Sequence, residues 1–343
     1  FGGIMAVLPE QLGLGFYSPR LDAIGNSHRG IRACMDLSRD LKLHTLDFRG
    51  VQTNILRRSY RGAEIHSKRQ RRTSDTAILD RQGHRIAVYE LQGNLSFGPV
   101  EWLSRHLIAE MDSFDLAVID MRRVVSVDEV AHTVLSGLTD ELTAHGRCPV
   151  LVPAEGGAAL AGPLAGCRTA GTVDAALELC EDLLLRTAGG GYPATDVVTL
   201  REIEMLKALD DTEIGRLGSY LAEVRFSPGE HLAREGEVAD RLFLSLSGRC
   251  DVLVPVDGAD RSYRLGSIEA GNMFGELALF EGGRRSAAIV AVTDVTCLVL
   301  TLERYEALRR EEPALYGCLL LQVGLNLADR LRRANAEISA LVR

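Results

Sequence analysis

One tryptophan in 343 residues, aromatics at 5% and lysine only at Lys42, Lys68 and Lys207 mark a chain poor in several common side chains. No apolar run approaches the roughly 20 residues a membrane helix needs, so no membrane partner is expected. Excess positive charge is missing too. The formal net charge is −8, whereas a nucleic-acid binder neutralises phosphates with a basic surface. No helix-turn-helix follows the last predicted helix, so DNA is not an expected partner. The seven cysteines, at 34, 148, 167, 180, 250, 297 and 318, contain no Cys-x-x-Cys. That spacing offers no zinc site and fits reduced thiols in a cytoplasmic protein. The eight histidines are equally dispersed. His44, His106 and His145 read as helix-surface or helix-end residues, and no metal or cofactor is expected.

What is present concentrates between residues 271 and 290, GNMFGELALFEGGRRSAAIV. Gly275 lets the backbone approach a ligand closely, and N–H groups at a turn can face an anion. Glu276 can accept from a hydroxyl, and Arg285 offers a planar, permanently charged fork to phosphate oxygens, with the Ser286 hydroxyl beside it. A surface ion pair between Glu276 and Arg285 is the simpler alternative.

This stretch resembles the phosphate-binding cassette of cyclic nucleotide-binding domains, whose pattern is Phe-Gly-Glu-Leu-Ala, a spacer, then Arg, a small residue and Ala. The resemblance implies that Gly275, Glu276 and Ala278, with Leu277 between them, hold the ribose and phosphate. It implies that Arg285 pairs with the phosphate and that Ser286 and Ala287 complete the pocket, with Arg284 at the rim. Ala288 supplies no hydroxyl for a guanine amino group, which favours cyclic AMP over cyclic GMP. Pro228-Gly229 and Ser247-Gly248 are turn signals between short alternating runs, as a β-roll needs. Thr301 to Leu308 and Pro313 to Val342 read as helices. The second has Leu315, Leu319, Val323, Leu327, Leu331 and Ile338 near helical spacing, for packing on the roll or for pairing subunits in a homo-oligomer.

The first residues read as two strands and a turn into a helix from about Gly30 to Leu41, with Asn26 or Ser27 as N-cap. Gly2-Gly3-Ile4, Ser18-Pro19, Leu21-Asp22 and Gly25-Asn26-Ser27 resemble the C-terminal end of serine-dependent glutaminases. That family implies a β-lactamase-like α/β domain and a Ser-x-x-Lys pair attacking the amide of L-glutamine. The residues three before the lysines are Arg39, Ile65 and Glu204. No catalytic residue is therefore expected in this chain, which is expected to be inactive alone and the remnant of a longer protein. Asp22, Asn26 and Ser27 are expected to cap and turn.

Residues 49–72 are arginine-rich and polar, and read as a solvated linker, with an RNA or membrane-surface patch as the alternative. From Ile86 to Leu185 β-like and helix-like patterns alternate, arguing for an α/β layer. Gly93 to Phe97, Ala117 to Asp120, Val127-Asp128 and Val173 to Leu177 resemble an STAS domain. Where phosphorylation-regulated members carry Ser or Thr, after Asp128, this chain has Glu129, which no kinase can switch.

The expected fold class is multidomain α/β plus α+β. A glutaminase remnant spans 1–48, a basic linker 49–82, an STAS-like domain 83–187, a linker 188–199, and a cyclic nucleotide-binding β-roll with helices 200–343. Two functions of different class follow. One is the regulatory portion of an L-glutaminase under allosteric control by a cyclic nucleotide. The other is a non-catalytic cyclic-nucleotide sensor with a vestigial N-terminus.

Overall fold

The computed structural model describes residues 2–8, 12–19, 21–23, 25–40, 55–154, 167–191, 197–255, 262–276 and 282–342. These fall into two compact units. The first joins Phe1–Arg61 to His84–Ala176, and the second joins Gly62–Gly83 to Leu177–Arg343.

In the first unit, β1 (Gly2–Leu8) and β2 (Leu12–Ser18) form an antiparallel hairpin, and α1 follows at His28–Asp40. Ser27 supplies the cap, its Oγ accepting from the Gly30 amide at 3.1 Å. Asp22 Oδ1 accepts from Asn26 N at 2.8 Å and closes the preceding turn.

The rest of that unit is a five-stranded sheet in the order β3-β5-β6-β7-β8. Strand β3 (Leu56–Arg61) runs antiparallel to β5 (Ile86–Leu95). Strands β6 (Leu116–Val127), β7 (Cys148–Val152) and β8 (Arg168–Thr169) continue parallel to β5. Parallel strands need covered faces. The described crossovers are α3 (Phe97–Glu110) and α4 (Glu129–Ala144), which bury Leu103, Leu107, Leu135 and Leu142 with Tyr89, Phe114 and Ile119. Asp128 caps α4 by accepting from Ala131 N at 2.7 Å.

The second unit is a roll of two sheets, β10-β15-β12-β13-β4 and β14-β11-β16-β9. Strands β9 (Ala222–Phe226), β10 (His231–Ala233), β11 (Arg241–Ser247), β12 (Arg249–Pro255), β13 (Ser262–Glu269), β15 (Ala288–Ala291) and β16 (Val295–Thr301) enclose Phe243, Phe274, Cys250, Ile268 and Val299. A helical layer of α6 (Asp211–Gly218), α7 (Leu302–Glu311) and α8 (Pro313–Val342) buries Leu308, Leu315, Leu319 and Val323 against Leu242, Leu244 and Met273. No described helix is long and apolar enough to cross a membrane.

The structure departs from three of the expected segments. The stretch expected to be a solvated linker over 49–82 contains β3, then β4 (Arg69–Gln70) and α2 (Thr73–Gln82). Residues 49–54 lie outside the described residues. β4 adds to the roll in parallel with β13, pairing Arg69 with Ser267 and Gln70 with Ile268. Gly266 permits this approach, since a Cβ there would meet Lys68 O at 2.3 Å. The side chains of Arg69 and Arg71 are buried. Arg69 binds Glu178 at 2.7 Å and Asp182 at 2.8 Å, and Arg71 binds Glu181 at 2.9 Å. These carboxylates lie on α5 (Val173–Thr187), whose residues from Leu177 onward belong to the second unit rather than to the domain expected over 83–187. Within the linker expected at 188–199, Val198 is buried and its amide bonds Leu246 O at 2.7 Å.

Candidate functional site

The turn at Ala270-Gly271 leads into β14 (Met273–Phe274), which pairs with β11 through Phe243 and Leu244. Gly275 follows at φ +81°, and a Cβ there would meet Arg285 Nη1 at 2.7 Å. Only glycine satisfies both the backbone and the space.

Arg285 is 7% exposed. Its Nη1 donates to Gly275 O at 2.8 Å, its Nη2 donates to Arg241 O, and its guanidinium sits 5.8 Å from the centre of the Phe243 ring. Burial lowers its pKa, because a charged guanidinium loses water there. Two backbone bonds hold it in line: Arg285 N donates to Glu237 O at 2.8 Å and Gly236 N donates to Arg285 O at 2.9 Å. The side chain forms part of the wall of a cavity of about 480 Å³, with Phe226, Leu232 and Ala233 as apolar lining and Asp240 and Arg241 nearby. The Arg241 guanidinium holds the Asp240 carboxyl below the usual range.

Arg284 is exposed and donates to Gly236 O at 2.7 Å. It is not among the residues lining that cavity. Ser286 is exposed and Ala287 half-buried, just ahead of β15. Leu277 and Ala278 lie outside the described residues.

Glu276 does not form an ion pair with Arg285. Its buried carboxylate instead bonds Arg330 of α8, Nη1 to Oε1 at 3.0 Å, while Arg330 Nη2 donates to Met273 O at 2.8 Å. Arg330 was not singled out by its place in the sequence. Its signal is faint: a cation at a position where the apolar face of α8 passes the cassette. The structure thus brings Gly275 and Arg285 together at one wall and ties Glu276 to the C-terminal helix. No group of residues able to hold a metal occurs among the described residues.

Such a buried arginine, held by backbone carbonyls beside a glycine-opened turn, can exchange carbonyl bonds for phosphate oxygens. Residues 223–312 match the family model for the cyclic nucleotide-binding domain, and residues 1–46 match the model for glutaminase. The chain is 33% identical over 351 residues to Glutaminase 2 of Bradyrhizobium diazoefficiens, covering 99% of this chain and 55% of that protein. It is 32% identical over 347 residues to Glutaminase 1 of the same organism, covering 99% and 56%. The chain spans about half the length of the curated relatives it matches. Among solved structures, the catabolite activator protein of Thermus thermophilus is similar at 30% identity, over 40% of this chain and 62% of that one, with a TM-score of 0.36. The roll thus matches a cyclic nucleotide-binding domain, and the first residues match a glutaminase.

Proposed function

We propose that this chain is the C-terminal regulatory portion of an L-glutaminase, converting L-glutamine and water to L-glutamate and ammonia, with a cyclic nucleotide bound in the roll acting on the enzyme at a distance. One observation carries the reading: a glutaminase match and a cyclic nucleotide-binding match stand in one chain that aligns over 99% of its length with proteins named glutaminase. Coupling of about 1–3 kcal/mol between the two sites would suffice for a useful response.

In this reading Arg285 pairs with the phosphate and Gly275 gives the ligand access to the backbone. Glu276 accepts from the ribose, and Leu277, Ala278, Ser286 and Ala287 complete the pocket. Cyclic AMP is the favoured ligand over cyclic GMP, since Ala288 offers guanine no hydroxyl. Exposed Leu321, Leu325 and Leu331 on α8 support assembly of a homo-oligomer through that helix. The parallel strands β5 to β8, edged by antiparallel β3, support an STAS-like module acting as an interaction element. Its Glu129 makes kinase switching at that point chemically unavailable.

The missing Ser-x-x-Lys favours a second reading, a cyclic-nucleotide sensor without catalysis. Calorimetric titration of the chain with cyclic AMP and cyclic GMP, beside an ammonia-release assay on L-glutamine, tests both. Saturable nucleotide binding without ammonia release is the expected result for this chain. No heat with either nucleotide would overturn the regulatory reading, and ammonia release above a heat-killed control would overturn the assignment of catalysis to residues outside the chain.

A further inference from the structure

The chain leaves the first unit at Arg61 and re-enters it at His84, and the segment between, Gly62–Gly83, belongs to the second. The ends of that segment meet: a Cβ on Gly83 would lie 2.7 Å from Ala63 N. Between them β4 pairs with β13 of the roll, and α2 follows. The segment is thus a closed excursion, joined along the chain to the first unit at both ends and hydrogen-bonded to the roll at its tip.

That tip lies against the opening of the cassette. Asn272 Nδ2 donates to Gln70 O at 3.2 Å and to Glu269 O at 3.1 Å. Both partners are carbonyls, which only accept, so the two hydrogens of one amide nitrogen join β4 to the end of β13. Arg72 packs beside the same turn, since a Cβ on Gly271 would meet its Cγ at 3.4 Å. The turn is bonded to β11 as well: Gly271 N donates to Ser245 O at 2.8 Å, and Ser245 N donates to Asn272 O at 2.9 Å. Asn272 stands three residues before Gly275, whose carbonyl accepts from Arg285. When Arg285 turns to a phosphate it gives up Gly275 O and Arg241 O. Arg241 opens β11, the strand that carries Ser245. Both losses therefore fall on the stretches of chain that hold Asn272.

We propose, resting on the cyclic-nucleotide reading of the roll, that Asn272 is the residue through which a bound nucleotide acts on Gly62–Gly83, and that this segment is the outlet of the regulatory site toward the rest of the chain. Linkage makes the effect mutual. If the nucleotide shifts the docking of β4, displacing β4 shifts nucleotide affinity by the same factor.

The test is hydrogen exchange of the full chain over the peptide Ser67–Arg72, with and without cyclic AMP, occupancy being read by calorimetry on the same samples. Cyclic AMP should change exchange there by about fivefold or more in the parent, and the change should vanish in nucleotide-saturated Asn272→Ala. Gly266→Val reads the reverse direction. A Cβ at that position would meet Lys68 O at 2.3 Å, so the variant displaces β4 from a position outside the cassette, and its affinity for cyclic AMP should differ from the parent's by about fivefold or more. Measured heat with unchanged exchange in the parent would overturn the proposal. So would a change retained in Asn272→Ala, or parental affinity in a Gly266→Val protein whose Ser67–Arg72 peptide exchanges freely. Absence of heat with the parent would instead remove the sensor reading itself, and this proposal with it.

Discussion

Arg330 Nη1 lies 3.0 Å from Glu276 Oε1, joining the C-terminal helix to a carboxylate whose side chain is 3% exposed. A buried charge is tolerated only when compensated, so the pair is more telling for what its loss exposes than for its net worth. Arg330→Ala should destabilise the nucleotide-free protein by about 2 kcal/mol. If the ribose donates to Glu276, a cyclic nucleotide should then raise the melting midpoint more in the variant than in the parent. An equal rise in both, measured by thermal scan with and without cyclic AMP, would separate Glu276 from the ligand.

Arg285→Ala should weaken cyclic AMP binding by about 10- to 150-fold, the size of a lost charge-assisted hydrogen bond. Arg284→Ala, which removes an exposed bond to Gly236 O, should change affinity by less than about threefold. Calorimetry on the two variants distinguishes the adjacent arginines. The reverse ranking would move the phosphate to the rim.

The docked segment Gly62–Gly83 is held by Glu181, which accepts from Ser67 N at 2.7 Å and from Arg71 at 2.9 Å. Glu181→Leu leaves Arg71 short of a partner in a buried site and should cost about 3 kcal/mol. Hydrogen exchange at the Ser67 amide reports it locally. Unchanged protection there would mean the network does not anchor the segment.

Asp115 sits between Arg85 and Arg147, and the Arg85 hydrogen bond holds its pKa below the usual carboxylate value. A carboxylate lowered on folding stabilises the fold above its unfolded pKa of about 4 and loses that contribution as pH falls through the folded value. The parent should therefore lose stability below about pH 4 more steeply than Asp115→Asn. Parallel acid melts of the two proteins would contradict this.

Burial pushes the Cys250 thiol up to about 12 and raises Cys297 further, while Cys318 is exposed. Since the thiolate is the reactive form, native labelling with a thiol reagent should modify Cys318 first and spare Cys250 and Cys297 until the roll unfolds. Peptide mapping after brief labelling reads this directly.

Much of the fold was legible because its signals are local. Ser27 was one of the two N-caps expected ahead of the first helix, and its hydroxyl accepts from the amide three residues on. Gly275 and Arg285 are ten residues apart, near enough for one pattern to hold both. The docked segment was not legible. Arg69 and Arg71 read as solvated charge because their partners on α5 are more than one hundred residues away in sequence. Burial of a charge is decided by a partner, and composition cannot name it. Arg330 escaped for the same reason, being 54 residues from Glu276. The apolar spacing of α8 gave Leu315, Leu319 and Val323 correctly as buried, yet Leu331 is 63% exposed, since periodicity does not say where the supporting surface ends.

The pairing of Arg69 with Ser267 has a consequence for synthesis. As the chain leaves the ribosome, the arginines of Gly62–Gly83 emerge before the strand and the carboxylates they need. At about 5–20 residues per second, the nearly two hundred residues between them take roughly 10–40 s to appear. During that interval the intervening sheet can close on its own contacts, while a basic segment waits exposed for the roll that will bury it.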